Sequence, residues 1–327
     1  MSDILSSPEE SQAANSRTAL LLDPVYKQHD TGPGHPEQPA RYDAVTHALE
    51  QAGLTKSLSK IEVRAANEDE IALCHGRAYI ETVKREIKAG ARELSTGDTT
   101  VSPRSLDVAL RAVGGLLNAV DAVASGKSPN AFCAVRPPGH HARPNQGMGF
   151  CIFNNVAIAA RYAKSKYGMT TLIADWDVHH GNGTQDIFYA DGSTLFFSTH
   201  QSPWYPGTGA AAERGEGQGR NCTLNVPLPA GSGRAEILGA FQKLLLPATD
   251  AFKPDLVFIS AGFDSRLNDP LGQFTLVDQD FVDLTTVMLE IASKHAKGRV
   301  VSVLEGGYNL SGLASSVAAH VRALSGA

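Results

Sequence analysis

From Thr18 onward, short unbroken apolar runs alternate with stretches whose apolar residues recur every three or four positions. A strand that is apolar at every position needs cover on both faces, and a helix with a single apolar stripe supplies it. The pattern therefore predicts an α/β fold in which helices cover both faces of a central parallel sheet. The candidate strands are Ala19–Leu22, Ala131–Val135, Thr171–Ala174, Thr194–Ser198, Asn221–Val226, Leu256–Ser260 and Val300–Leu304. Ser102-Pro103 reads as a helix start, with the hydroxyl at the N-cap and proline at the first turn. Leu106, Leu110, Val113, Leu117 and Val120 follow at helical spacing. Asn67 opens a helix that Gly90 closes, and another runs from about Gln279 to Lys297 before Gly298.

No repeat or long linker breaks the alternation, so residues 18–327 read as one domain on a sheet of about eight strands. Residues 1–17 are polar and rich in Ser, Glu and Ala, and read as a flexible tail. Glycine and proline gather at Thr31–Pro39, Arg136–Gly149, Pro203–Gly219, Gly262–Gly272 and Glu305–Gly312. Four of these segments follow a predicted strand at once or a short step later, which collects them at one rim of the sheet.

Composition narrows the picture further. With 42% apolar and 19% charged residues the chain suits a soluble globular enzyme. A net charge of -5 gives no reason to expect nucleic acid or an anionic membrane as partner. The four cysteines, Cys74, Cys133, Cys151 and Cys222, form no CxxC pair, which argues against a disulfide framework or thiolate-bound zinc and suits a reducing cytoplasm. No basic-then-apolar leader pattern or membrane-length apolar run is present, so the expected location is cytoplasmic; self-association of copies stays open.

The densest chemistry is Asp175-Trp-Asp177-Val-His179-His180-Gly-Asn182, directly after a strand. Asp177 and His179 are two apart, so in extended chain both side chains point the same way and can share a cation. Asp264 stands beyond the Leu256–Ser260 strand. Two carboxylates and one imidazole leave coordination positions for water and substrate, the pattern of a catalytic site for zinc, with ferrous iron as the alternative. Pro137-Pro138-Gly139-His140-His141 presents adjacent imidazoles on a stiff turn, suited to acid–base work. Asp175 and Asn182 are candidate partners for those two rings. An aspartate stabilises an imidazolium more than an asparagine does, so the histidine paired with Asn182 should be the less basic and should shuttle the proton. In Glu305-Gly306-Gly307-Tyr308 a tyrosine beyond a flexible pair can swing its hydroxyl to a developing oxyanion. Phe150 and Tyr205, in glycine-rich loops, are candidate walls of a narrow apolar tube.

The motifs Arg-Pro-Pro-Gly-His-His (136–141), Gly-Met-Gly-Phe-Cys-Ile-Phe-Asn-Asn (147–155), Asp-Trp-Asp-Val-His-His-Gly-Asn-Gly-Thr (175–184), Ala-Gly-Phe-Asp (261–264) and Glu-Gly-Gly-Tyr (305–308) together resemble a zinc-dependent histone deacetylase-type amidohydrolase of the arginase/deacetylase fold. Asn182, where class I members carry aspartate, places the likeness in the class II branch with its bacterial relatives. The resemblance implies one zinc ion on Asp177, His179 and Asp264. It pairs His140 with Asp175 and His141 with Asn182, and it makes Tyr308 the hydroxyl that polarises the amide carbonyl. Class IIa enzymes carry histidine at that last position and are poor deacetylases, so tyrosine implies full activity. Gly149, Phe150 and Tyr205 become channel walls, and Asp98 aligns with a rim acid that accepts a substrate N–H. A structural potassium or sodium ion is implied at backbone oxygens around Asp175 and Ser198. His180 is left with a structural role.

The implied reaction is hydrolysis of an acyl-lysine amide in a protein or peptide, releasing acetate or a longer carboxylate. Polyamine-specific members carry glutamate after the Asp-Pro of the loop beyond the third ligand; here Asn268-Asp269-Pro270 is followed by Leu271, which favours acyl-lysine. Asp98 keeps small acetylated amines, the polyamines, as the alternative. An arginase-like ureohydrolase with two manganese ions and a silent acyl-lysine binding protein are the remaining readings. The first does not use the Pro-Pro-Gly-His-His and Gly-Gly-Tyr motifs, and the second leaves a full set of reactive residues unexplained.

Overall fold

The computed structural model describes residues 17–326, so the proposed tail at residues 1–17 lies almost wholly outside the described residues. Among the described residues eight strands form one sheet: β1 Ala19–Leu21, β2 Ser59–Lys60, β3 Asn130–Cys133, β4 Thr171–Asp175, β5 Thr194–Gln201, β6 Thr223–Leu228, β7 Leu256–Ala261 and β8 Val300–Leu304. Their order is β2-β1-β3-β8-β7-β4-β5-β6, and every pairing is parallel. Successive side chains of a strand leave on opposite faces. Leu21, Cys133, Ile173, Phe196, Phe258 and Val301 pack against the Arg77–Lys88, Ser105–Ala124 and Asn155–Tyr167 helices on one face. Leu20, Phe132, Leu172, Phe197, Val257 and Val300 pack against Ala40–Gln51, Asp278–His295 and Leu310–Ser325 on the other. That two-sided burial is why the strands read as continuous apolar runs.

The register decides where the chemistry goes. β3, β8, β7 and β4 are neighbours at the centre of the sheet, with Asp175 opposite Ser260 and Ala261 opposite Leu304. The loops beginning at Ala134, Glu305, Gly262 and Trp176 therefore leave side by side from one edge, and the loop after β5 joins them.

Four local expectations change. The segment 67–90 is two helices, Glu68–Ile71 and Arg77–Lys88. Asn67 caps the first through a reciprocal bond with Glu70, and the chain then breaks so that Gly76 N–H donates to Pro144 O at 2.9 Å. A Cβ on Gly76 would meet Asn145 Oδ1 at 2.3 Å, so the break accommodates a close backbone approach. The long helix begins at Ser105; Ser105 Oγ accepts from Ser102 N at 2.8 Å, and Ser102 is not the cap. β6 starts at Thr223 because Asn221 adopts φ 66. β5 runs on to Gln201 because its last residues keep pairing with β6 up to Leu228, and β2 is an edge strand too short to leave a periodic signal.

Candidate active site

Asp177, His179 and Asp264 offer ligand atoms that all lie within 4.8 Å of one another, and all three residues are buried. His179 Nδ1 is 3.0 Å from Asp177 Oδ1 and 3.2 Å from Asp264 Oδ2. Backbone N–H groups hold the carboxylates: His179 N donates to Asp177 Oδ1, Gly306 N to Asp177 Oδ2 and Val178 N to Asp264 Oδ1, each at 2.9 Å. The loops close on these acids so tightly that only hydrogen fits at two positions. A Cβ on Gly262 would lie 2.1 Å from Asp177 Oδ2, and one on Gly306 would lie 2.1 Å from Asp264 Oδ2. Burial and the charge of Asp177 push Asp264 up to about 7. Burial opposes charge on His179 too, but its bonds to the two aspartates raise it to about 10. Two buried carboxylates facing one imidazole, all gathered by backbone donors, form an oxygen-and-nitrogen donor set that fits a divalent cation such as zinc.

The two imidazoles of the Pro-Pro-Gly turn stack with ring centres 4.0 Å apart beside this cradle. His140 Nδ1 donates to Asp175 Oδ2 at 2.9 Å, and its Nε2 lies 3.8 Å from Asp177 Oδ1. His141 Nδ1 donates to the amide oxygen of Asn182 at 2.8 Å, which leaves Nε2 as the free base. Burial disfavours charge on His140, yet Asp175 and Asp177 outweigh it and hold the ring well above the usual histidine range. His141 goes the other way. Burial and the neighbouring His140 and His179 hold it well below that range, and a neutral amide cannot offset them.

Above the cradle, Gly149, Phe150, Tyr205, Leu271 and Tyr308 line a cavity of about 230 Å³ with His141 and His179 at its floor. Gly149 and Phe150 have φ of 56 and 67. A Cβ on Gly149 would lie 2.3 Å from His141 Cδ2, so glycine lets the wall touch the ring, and Phe150 takes a left-handed conformation rare for an aromatic residue. The Phe150 ring meets Tyr308 edge-on at 6.0 Å, and the Tyr205 ring stands perpendicular to His141 at 5.2 Å. Asp98 sits at the rim, where its Oδ1 accepts from Gly149 N at 2.7 Å and from the Tyr205 hydroxyl at 3.3 Å. Burial and the Asp264 charge push the Tyr308 phenol well up, so it stays a donor. Of the proposed site residues, Asp98, His141, Gly149, Phe150, His179, Tyr205, Leu271 and Tyr308 line this cavity, Asp177, Asp264 and Asn182 bond residues that line it, and His140 with its partner Asp175 lies one layer behind, stacked on His141. His180 is not among them: it bonds Thr208 at 2.8 Å and Gln185 at 3.0 Å, anchoring the loop that carries Tyr205.

Sequence reasoning assigned no role to several residues that hold the site. Glu305 is fully buried and accepts from Gly139 N at 2.7 Å, His140 N at 3.2 Å and Ser260 Oγ at 3.1 Å, which sets the histidine turn against β8. Arg136 and Arg41 both bond Glu37, and Arg41 also donates to Gly307 O at 2.7 Å and Glu305 O at 2.5 Å, with its guanidinium 5.1 Å from the Tyr308 ring centre. The available signal was the charge of Glu37, Arg41 and Arg136 beside apolar or Gly/Pro-rich segments. Glu37 and Arg41 are four apart, but the pairing of Glu37 with Arg136 across 99 residues has no local trace. Trp204 supplies a further wall that is 37% exposed, with Nε1 donating to Leu271 O at 2.8 Å.

Comparison with known proteins bears on this arrangement. A family model described as the histone deacetylase domain matches residues 35–324. The chain is 41% identical over 309 residues to histone deacetylase 10, chloroplastic, of rice (Oryza sativa subsp. japonica), covering 89% of this chain and 70% of that protein. It is 41% identical over 303 residues to the human polyamine deacetylase HDAC10, covering 89% of this chain and 44% of that protein. The crystal structure of the HDA15 HD domain superposes with a TM-score of 0.90 at 35% identity, covering 95% of this chain and 90% of that one.

Proposed function

This chain belongs to the histone deacetylase family, a family of amide hydrolases, and from that premise we propose that it hydrolyses the amide of acyl-lysine side chains in proteins or peptides, with one zinc ion per chain. The observation that carries the reading is the convergence of His141, His179 and Tyr308 on one narrow cavity. Asp177, His179 and Asp264 would hold the metal, which supplies Lewis acidity: it polarises the acyl oxygen and makes a nearby water more acidic. His141 Nε2, neutral because burial and two neighbouring imidazoles disfavour its charge, takes the proton of the attacking water. His140, kept charged by Asp175 and Asp177, holds positive charge beside the reacting carbon, and the histidine pair returns a proton to the leaving amine. The Tyr308 hydroxyl donates to the oxyanion as it forms. Phe150 and Tyr205 exclude water from the aliphatic stem of the lysine. A potassium or sodium ion at backbone oxygens of Asp175 and Ser198, which are register partners on adjacent strands, belongs to the same proposal.

The apolar rim at Leu271 and Trp204 favours a neutral acyl-lysine stem over a polycation. Acetylated polyamines are the second reading, supported by the 41% identity to a polyamine deacetylase and by Asp98 at the rim. Release of free amine from acetyl-lysine peptides, acetylputrescine and acetylspermidine by the same preparation decides between them. The peptides are expected to turn over fastest, and faster polyamine turnover overturns the choice. Chelation should abolish turnover and added zinc restore it.

A further inference from the structure

Asp269 is a buried carboxylate, 6% exposed, whose partners are three backbone N–H groups. Its Oδ1 accepts from Leu271 N at 2.9 Å, and its Oδ2 accepts from Tyr308 N at 2.7 Å and Asn309 N at 3.1 Å. Burying a carboxylate costs several kcal/mol unless it is fully hydrogen-bonded, so the fold spends that penalty on tying two loops together. The loops it joins are the one that follows the metal ligand Asp264 and the one that presents Tyr308. The second is held on both sides of its glycine pair. Gly306 N donates to Asp177 Oδ2 and Gly307 O accepts from Arg41, while Asp269 takes the next two N–H groups, those of Tyr308 and Asn309, and so fixes the backbone that presents the hydroxyl. Leu271 is gripped at its other end as well, because Trp204 Nε1 donates to its carbonyl oxygen at 2.8 Å. A continuous path therefore runs from the half-exposed Trp204 ring at the mouth, through Leu271 and Asp269, to the backbone of Tyr308.

We propose that Asp269 is a positioning residue that couples the channel mouth to the Tyr308 hydroxyl, so that substrate pressing on Trp204 is expressed in turnover and not only in binding. The inference rests on the assignment of Tyr308 as the oxyanion donor. Asp269→Asn keeps the shape but turns an NH2 group toward one set of N–H donors, releasing either Leu271 or Tyr308.

The test is steady-state hydrolysis of an acetyl-lysine peptide, with kcat expressed per metal-loaded site. D269N should lower kcat by about 10- to 100-fold, the range for residues that orient others, and leave KM within about 3-fold. W204F keeps a smaller aromatic ring at the mouth and removes the bond to Leu271; it should lower kcat in the same direction by less, and add nothing to the kcat loss in the D269N background. Trp204 is one of two tryptophans and Trp176 is buried, so emission also reports peptide arrival; that change should persist in D269N while kcat falls. Unchanged kcat in folded D269N, effects confined to KM, or additive losses overturn the coupling. If D269N does not fold, W204F decides alone by the same split. A wild-type protein that hydrolyses no acylated amine overturns the functional reading instead, and the two failures are distinct.

Discussion

The floor and the mouth of the channel are built on opposite terms. At the floor, Asp177, Asp264, His140 and Glu305 are almost wholly buried, and backbone donors and glycines without room for a Cβ fix every carboxylate. At the mouth, Trp204 and Tyr205 are each 37% exposed, Asp98 is shared between a backbone N–H and a phenol, and the walls come from loops. The floor pays a desolvation cost at each charge and recovers it only if its geometry is held closely. The mouth pays little and can change its side chains without disturbing the sheet. Chemistry thus sits where substitution is expensive, and selectivity where it is cheap.

That contrast breaks most sharply at the cradle. Asp264→Ala should reduce turnover to background and metal content to near zero, with the melting curve still cooperative; retained metal, read by elemental analysis, would remove Asp264 from the ligand set. One step out, His141→Ala should cost on the order of 10²- to 10⁴-fold in kcat and Tyr308→Phe on the order of 10²- to 10³-fold, both with metal retained. Unchanged turnover in either would detach that residue from its role.

The mouth should respond by degree. Leu271→Glu adds a carboxylate to the cavity that Asp98 also lines, and an exposed ion pair is worth at most about 1 kcal/mol, so the ratio of kcat/KM for acetylspermidine to that for an acetyl-lysine peptide should rise by roughly 5-fold. A shift in kcat alone would contradict its placement at the rim. The supports beneath the floor should show in stability and not in selectivity. Burial lowers His75 to about 4 and His320 to about 3, and neither is among the residues of the cradle. Unfolded histidines titrate near 6.5, so between about pH 6.5 and 4 the unfolded chain binds protons that the folded chain refuses, and stability falls as the pH drops through that window. Thermal midpoints at pH 7 and pH 5 of the protein and of its His320→Gln variant check the sign; the variant should lose less on acidification, and an equal loss in both would mean that this ring does not stay neutral.

Much of the floor was legible because its parts are local. Asp177 and His179 lie two residues apart just beyond β4, whose apolar run marks where that strand ends, although a bend after Asp175 and not the strand period brings the two side chains together. The Pro-Pro-Gly turn before His140 and the Gly-Gly before Tyr308 announce themselves through backbone chemistry. Less was legible in the supports. A helix pattern over 67–90 conceals the break at Gly76, because the reason for the break is a carbonyl on Pro144. β2 is two residues long and holds its place only by pairing with β1.

What the sequence by itself determined is the alternation that makes a two-sided parallel sheet, the central strands to within a few residues, and the reactive groups that follow them, since periodicity and turn chemistry act over a few residues. What only the tertiary structure decided is which groups share a hydrogen bond: Glu37 with Arg136, Glu305 with the histidine turn, Asp269 with Tyr308, and Trp204 with Leu271. These pairs are set by the order in which the central strands lie side by side, and strand order arises from packing of the whole sheet, of which no short window of the chain holds a record.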